Sequence, residues 1–110
     1  MPIVIKITKL IIDSGSGYRG KAVLGEAVKI TAILNVDTAT CTITIEDPSL
    51  VDEVTNVVMT KEADCIYSYI WQNVDDSNEG DYKVTVKAVS GNYTSIKVDK
   101  FELIDIDDIT

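Results

Sequence analysis

The sequence predicts an all-β sandwich of seven strands in one domain, and three observations carry that prediction. Short segments rich in Val, Ile, Thr and Tyr alternate apolar with polar residues, and Gly, Ser, Asn and Asp punctuate them at a spacing of roughly 8–12 residues. No segment of useful length shows a helical period. Finally, from Cys65 to Ala88 two alternating strands flank an acidic loop that ends in Asn78-Glu79-Gly80-Asp81-Tyr82. In a sandwich corner of this spacing, a Tyr two residues before a buried position hydrogen-bonds back across the turn.

Each element follows from its own pattern. The first strand covers about Ile3 to Ile12, with Ile3, Ile5 and Ile7 on one face and Leu10 and Ile12 on the other. That change of parity near Thr8-Lys9 predicts a bulge where the strand passes from one sheet to the other. A loop rich in Gly and Ser follows. The second strand sets Val28, Ile30, Ala32 and Leu34 against Lys29 and Thr31. After a turn at Asn35–Thr38 comes the third, with Cys41, Ile43 and Ile45 facing inward. Asp47-Pro48-Ser49 ends it, because proline cannot donate to a central ladder.

A fourth strand is expected around Val54 to Thr60, followed by a short turn through Lys61–Asp64. In the fifth strand Tyr67, Tyr69 and Trp71 share a face with Cys65. The sixth turns Tyr82, Val84, Val86 and Ala88 inward and Lys83, Thr85 and Lys87 outward. Ser90-Gly91-Asn92 is a tight hairpin turn. The last strand places Ile96 and Val98 on one face and Phe101 and Leu103 on the other, which predicts a second parity change at Asp99-Lys100. The expected core comprises Val28, Ile30, Leu34, Ile43, Ile45, Tyr67, Trp71, Tyr82, Val84 and Val86.

From about Ile5 to Ile104 the chain resembles the immunoglobulin-like modules of bacterial and archaeal surface proteins and of bacteriophage virions. The matching features are Gly25-Glu26-x-Val28 leading into the second strand, Tyr67-x-x-x-Trp71 in the fifth, and Gly80-x-Tyr82-x-Val84-x-Val86 in the sixth. The resemblance implies a seven-stranded immunoglobulin-like (Greek-key) β-sandwich. It implies a scaffold rather than a ligand, since such packing signatures serve modules with unrelated jobs. The chain lacks the antibody-type cysteine pair, and Ile30 and Val84 are expected at those core positions.

Composition narrows the function classes. Ten Lys and Arg against eighteen Asp and Glu leave a net charge of −8, so nucleic acid and anionic membranes are repelled. The chain contains no His, which removes the commonest general base and the commonest transition-metal ligand. Ser14 and Ser16 therefore have no partner to activate them as nucleophiles. Two Cys without His cannot complete a four-ligand zinc site. No apolar run approaches the roughly 18 residues of a membrane span, and the N-terminal segment, broken by Lys6, Thr8 and Lys9, lacks the form of a signal peptide. The chain reads as a whole gene product or a cleanly cut domain without catalytic activity.

Candidate sites remain. If the strands alternate direction, Cys41 and Cys65 lie at the same end of the sandwich and either bridge or stay as two buried thiols. The same alternation gathers fourteen of the eighteen carboxylates near the opposite pole, including Asp75, Asp76, Glu79 and Asp81. Those four are candidate calcium ligands, although their spacing matches no known calcium loop; the other reading is a solvated acidic pole. Such a pole also suits docking on a basic patch of a neighbouring subunit. Tyr67, Tyr69 and Trp71 read either as core or as a stacking platform for sugar rings. Asn92-Tyr93-Thr94 is a glycosylation sequon. Ile3, Ile5 and Ile7 form an apolar terminal strand that either adds to a neighbour's sheet edge or is an ordinary first strand split between the two sheets, and Tyr18 in its Gly-rich loop is a further candidate contact.

The expectation is a non-enzymatic structural or decorating subunit of a virion or surface filament. It needs no cofactor, and its partners are copies of itself or other subunits. The alternative is an adhesion module, on the same extracellular surfaces, that binds carbohydrate or a protein receptor.

Overall fold

Alternation of β-branched and polar residues gives the chain its strands, and the apolar side of each strand decides how two sheets face one another. The computed structural model describes residues 4–14, 20–73 and 78–105. Nine strands appear there: β1 (Ile7–Ser14), β2 (Lys21–Val23), β3 (Ala27–Leu34), β4 (Thr40–Glu46), β5 (Asp52–Val58), β6 (Thr60–Ala63), β7 (Ile66–Gln72), β8 (Gly80–Ser90) and β9 (Tyr93–Ile104). One sheet runs β1-β3-β7-β6 and the other β2-β9-β8-β4-β5. Every pairing is antiparallel except β2 with β9.

All ten residues expected in the core are buried, and Val28, Ile30, Ile43, Ile45, Tyr82, Val84 and Val86 are fully so. Trp71, Tyr82 and Phe101 form the aromatic centre. The Trp71 ring lies 5.3 Å from Tyr82 and 6.0 Å from Phe101, and Tyr82 stacks on Phe101 at 5.4 Å. Tilted and offset contacts at these spacings add to the burial of large rings.

The count of nine differs from the expected seven for two reasons. β2 emerges from what reads as loop: Ala22 and Val23 are buried, and the strand pairs in parallel with Glu102–Ile104. The fourth strand ends at Val58, and β6 takes up Thr60 with three residues of the expected Lys61–Asp64 turn; β5 pairs with β4 whereas β6 pairs with β7. The chain changes sheet at buried Met59, whose N–H donates to the Cys41 carbonyl at 2.8 Å.

Both expected parity changes resolve differently. A register shift does lie between Ile7 and Lys9, but the strand stays beside β3. The extra residue returns Leu10 to the face of Ile7, so Ile5, Ile7 and Leu10 are all buried. In β9 no shift occurs: the register with β8 is continuous from Gly80–Leu103 to Ser90–Tyr93. Phe101 and Leu103 face the core, and Ile96 and Val98 point outward, 60% and 53% exposed. Lys97 and Asp99, opposite Val86 and Val84, share the core-facing side of the sheet yet are exposed, because β2 reaches only the last residues of β9.

Candidate functional site

At the acidic pole, one turn organises the surroundings. Asp47 is buried, and its Oδ1 accepts the N–H groups of Ser49 and Val51, both at 2.9 Å. The backbone closes around it, Leu50 N–H donating to the Asp47 carbonyl and Asp47 N–H to that of Val51. Asp47 Oδ2 accepts from Asn78 Nδ2 at 3.3 Å. Across the corner the Tyr82 hydroxyl donates to the Asn78 carbonyl at 2.6 Å, the bond that the sequence spacing anticipates. Burial, reinforced by the nearby charges of Glu53 and Asp47, pushes the Tyr82 hydroxyl up to about 12. Gly80 has φ +126°, and a Cβ there would stand 2.9 Å from the Pro48 ring. Only glycine fits that close approach.

The four calcium candidates divide. Asp75 and Asp76 lie outside the described residues. Glu79 Oε1 accepts from Asp105 N–H at 3.2 Å, and Asp81 ion-pairs with Lys100 at 3.9 Å. Among the described residues no three Asp, Glu or Cys side chains gather in a group able to hold a metal ion. Lysines enter the pole from strands that the loop pattern does not reveal. Lys83 stands opposite Glu46, Lys100 beside Asp81, and Lys21 is 3.8 Å from Glu102.

The two cysteines are free. They do lie towards one end of the sandwich, Cys41 opposite Ala88 and Cys65 beside the Ser90–Tyr93 turn. Cys65, however, is a turn residue with φ +68°, not the first residue of a strand, so strand parity does not aim it at the core. Cys41 is enclosed in β4, and burial pushes its thiol up to about 11.

Cys65 instead lines an open cleft of about 770 Å³ at the pole opposite the acidic one. The β3–β4 connection contributes Asn35, Asp37 and Thr38, the β6–β7 turn Asp64, and the β8–β9 turn Ser90, Asn92 and Tyr93. Lys61 crosses one side, donating to the Asp37 carbonyl at 2.5 Å and facing Asp64 at 3.9 Å. The sequon residue Asn92 is exposed at this rim.

The proposed contact residues of the N-terminal strand have another job. Ile5 and Ile7 are 3% exposed and belong to the chain's own core, whereas Ile3 and Tyr18 lie outside the described residues. Asn35 holds the segment like a missing strand: Oδ1 accepts from Lys6 N–H at 2.7 Å, and Nδ2 donates to the Val4 carbonyl at 2.9 Å. The aromatic face of β7 is no exposed platform either. Tyr67 and Trp71 are buried, and Tyr67 Oη bonds to both the N–H and the carbonyl of Ala39.

Sequence reasoning missed a different set. Leu50, Val51, Val58, Ile96 and Val98 are all more than half exposed, on or beside the β2-β9-β8-β4-β5 sheet. The available signal was Leu50-Val51 directly after a proline turn, where no alternation assigns either residue to a buried face.

Comparison of the chain with protein-family models finds no match, and comparison with curated proteins finds none either.

Proposed function

We propose that the chain is an immunoglobulin-like module with no catalytic role, serving as a structural or decorating subunit on a virion or surface filament. The fold part of this reading rests on strand order. One sheet of β1-β3-β7-β6 against another of β2-β9-β8-β4-β5 is compatible with an immunoglobulin-like Greek key that carries extra strands, and the Tyr82–Asn78 bond supports that reading as a corner contact. Ile30 and Val84, the residues expected at the positions of the antibody disulfide, are both fully buried, which agrees with that reading.

The observation that carries the functional part is the group of exposed aliphatic side chains Leu50, Val51, Val58, Ile96 and Val98 on or beside the five-stranded sheet, although Ile70 is also exposed on the other sheet. Soluble monomers rarely present large apolar groups together, and such groups mark surfaces that meet other proteins. A net charge of −8 disfavours nucleic acid and supports protein partners that offer a local basic patch, whether other subunits or the lysine-framed face of a second copy. Light scattering over a concentration series tests the reading. A mass that rises with concentration supports a building block; a steady single-chain mass under all conditions overturns self-assembly.

One observation favours a second reading, an adhesion module. The open cleft lined by Asn35, Asp37, Thr38, Asp64, Asn92 and Tyr93 offers amide, carboxylate and hydroxyl groups beside one aromatic ring, a composition suited to sugar hydroxyls. A saturable glycan isotherm abolished by Tyr93→Ala supports this role; absence of binding across a broad glycan panel counts against it.

A further inference from the structure

Two exposed surfaces of this chain are complementary to each other. The first is the turn between β4 and β5. Asp47, Pro48, Ser49 and Leu50 form a tight turn closed by the Leu50 N–H to Asp47 carbonyl bond at 3.0 Å, and Leu50 follows with φ +67°. A turn of this form places glycine or asparagine at the left-handed position, because a branched side chain is strained there. The chain puts leucine there and leaves it 77% exposed, beside Val51 at 58%. Leu50 thus adds strain without adding to its own core, and strain kept in a well-bonded turn points to a use outside the fold. Asp52 and Glu53, both exposed, follow directly. The result is a rigid apolar knob with two carboxylates at its base.

The second surface is the outer face of β8 and β9. There Ile96 stands opposite Lys87, Val98 opposite Thr85, and Lys100 opposite Lys83. Two exposed aliphatic side chains are therefore framed by three lysines. A shallow depression of about 420 Å³ opens at Val98, bounded by Lys83, Lys100, Asp81, Tyr82 and Asp99. Asp81 is engaged with Lys100 at 3.9 Å. Beside these strands β4 contributes Thr42 and Thr44, opposite Lys87 and Thr85.

We infer that the Leu50–Val51 knob of one copy docks on the Ile96–Val98 patch of a second copy, with Asp52 and Glu53 facing Lys83, Lys87 and Lys100. This inference rests on the subunit reading above. β5 and β9 are separated by β4 and β8, so a knob cannot reach the patch of its own chain. Because the surfaces differ, the contact is head-to-tail: each copy leaves one knob and one patch free, and growth continues unless the geometry closes a ring. The ionic part makes the association weaken as salt rises.

Sedimentation velocity across a concentration series tests this, using the intact chain and two variants. Leu50→Gly removes the knob and relieves the backbone, so its melting temperature stays at or above that of the parent, which separates lost association from lost folding. Val98→Glu spoils the patch at an exposed position and sets a carboxylate against Asp52 and Glu53. The parent is expected to grow beyond a dimer, and each variant to associate at least about tenfold more weakly. Mixing the two variants restores one knob and one patch, so a dimer forms and growth stops there. Association unaffected by either variant overturns the knob assignment and leaves the subunit reading standing. A mixture no heavier than its components overturns the head-to-tail pairing, and a parent that stays monomeric at every concentration overturns both readings.

Discussion

The two halves of β9 carry the same alternating pattern and meet opposite fates. In its last four residues Phe101, Leu103 and Ile104 are buried, with β8 on one side, β2 on the other and Trp71 of the facing sheet above Phe101. In the preceding stretch every residue from Ile96 to Lys100 is exposed, although the pairing with β8 is unbroken. Alternation therefore assigns a residue to a face of the sheet. Whether that face is covered depends on a strand or sheet that arrives from elsewhere in the chain.

The largest blow to the covered half is Trp71→Ala, which removes the ring touching both Tyr82 and Phe101. It is expected to cost about 3–5 kcal/mol in chemical denaturation; a near-neutral value would mean that the ring is not core and would erase the contrast. Gly80→Ala, opposite Leu103, meets the Pro48 ring at a backbone angle that L-residues avoid. A loss of about 1–3 kcal/mol is expected. Tyr82→Phe removes the hydroxyl bonded to Asn78 and is expected to cost about 1 kcal/mol.

That variant also changes the alkaline limb. The Tyr82 hydroxyl titrates near 10 in an unfolded chain and about 12 in the fold. Above pH 10 the unfolded state therefore loses its proton first, and stability falls as pH rises from about 10 to 12. Phenylalanine should flatten this part of the fall in melting temperature; an unchanged slope would show that another group sets it. The smallest effect belongs to the uncovered half: Ile96→Thr should shift stability by no more than about 0.5 kcal/mol. A loss of several times that would mean Ile96 is packed.

How much of this was legible in the sequence follows the same division. The ten core positions, the strand alternation and the Tyr82 corner are local patterns, and each is visible without knowing the topology. The chain's crossing between sheets at Met59 was not, because the two strands it joins are nearly continuous in sequence and differ only in which neighbour they pair with. β2 was hidden for a similar reason: three residues in parallel pairing depend on β9, some eighty positions away. For Cys41 and Cys65 the sequence left a bridge and two buried thiols open; both are free and only Cys41 is buried, because Cys65 lies in a turn where strand parity has no meaning. For the candidate contacts of the first strand, burial favours the reading as part of the chain's own sandwich over addition to a neighbour's sheet. Ile5 and Ile7 are core, and the bulge near Lys9 and the Asn35 clasp, of which the alternation shows only the first, hold them there. Leu50 looks like an ordinary turn residue until its backbone angle and exposure are known together.

Lys97 and Asp99 point towards the side of the sheet that buries Val84 and Val86, on a strand whose next neighbour reaches only its final residues. A foreign strand zipping along that margin would have to carry both charges into a dry seam, and the cost of stripping their water falls on the intruder. Charges so placed disfavour edge-to-edge pairing. Replacing both with valine is expected to leave the fold little changed and to raise edge-to-edge pairing, read as growth of thioflavin-positive aggregates on storage.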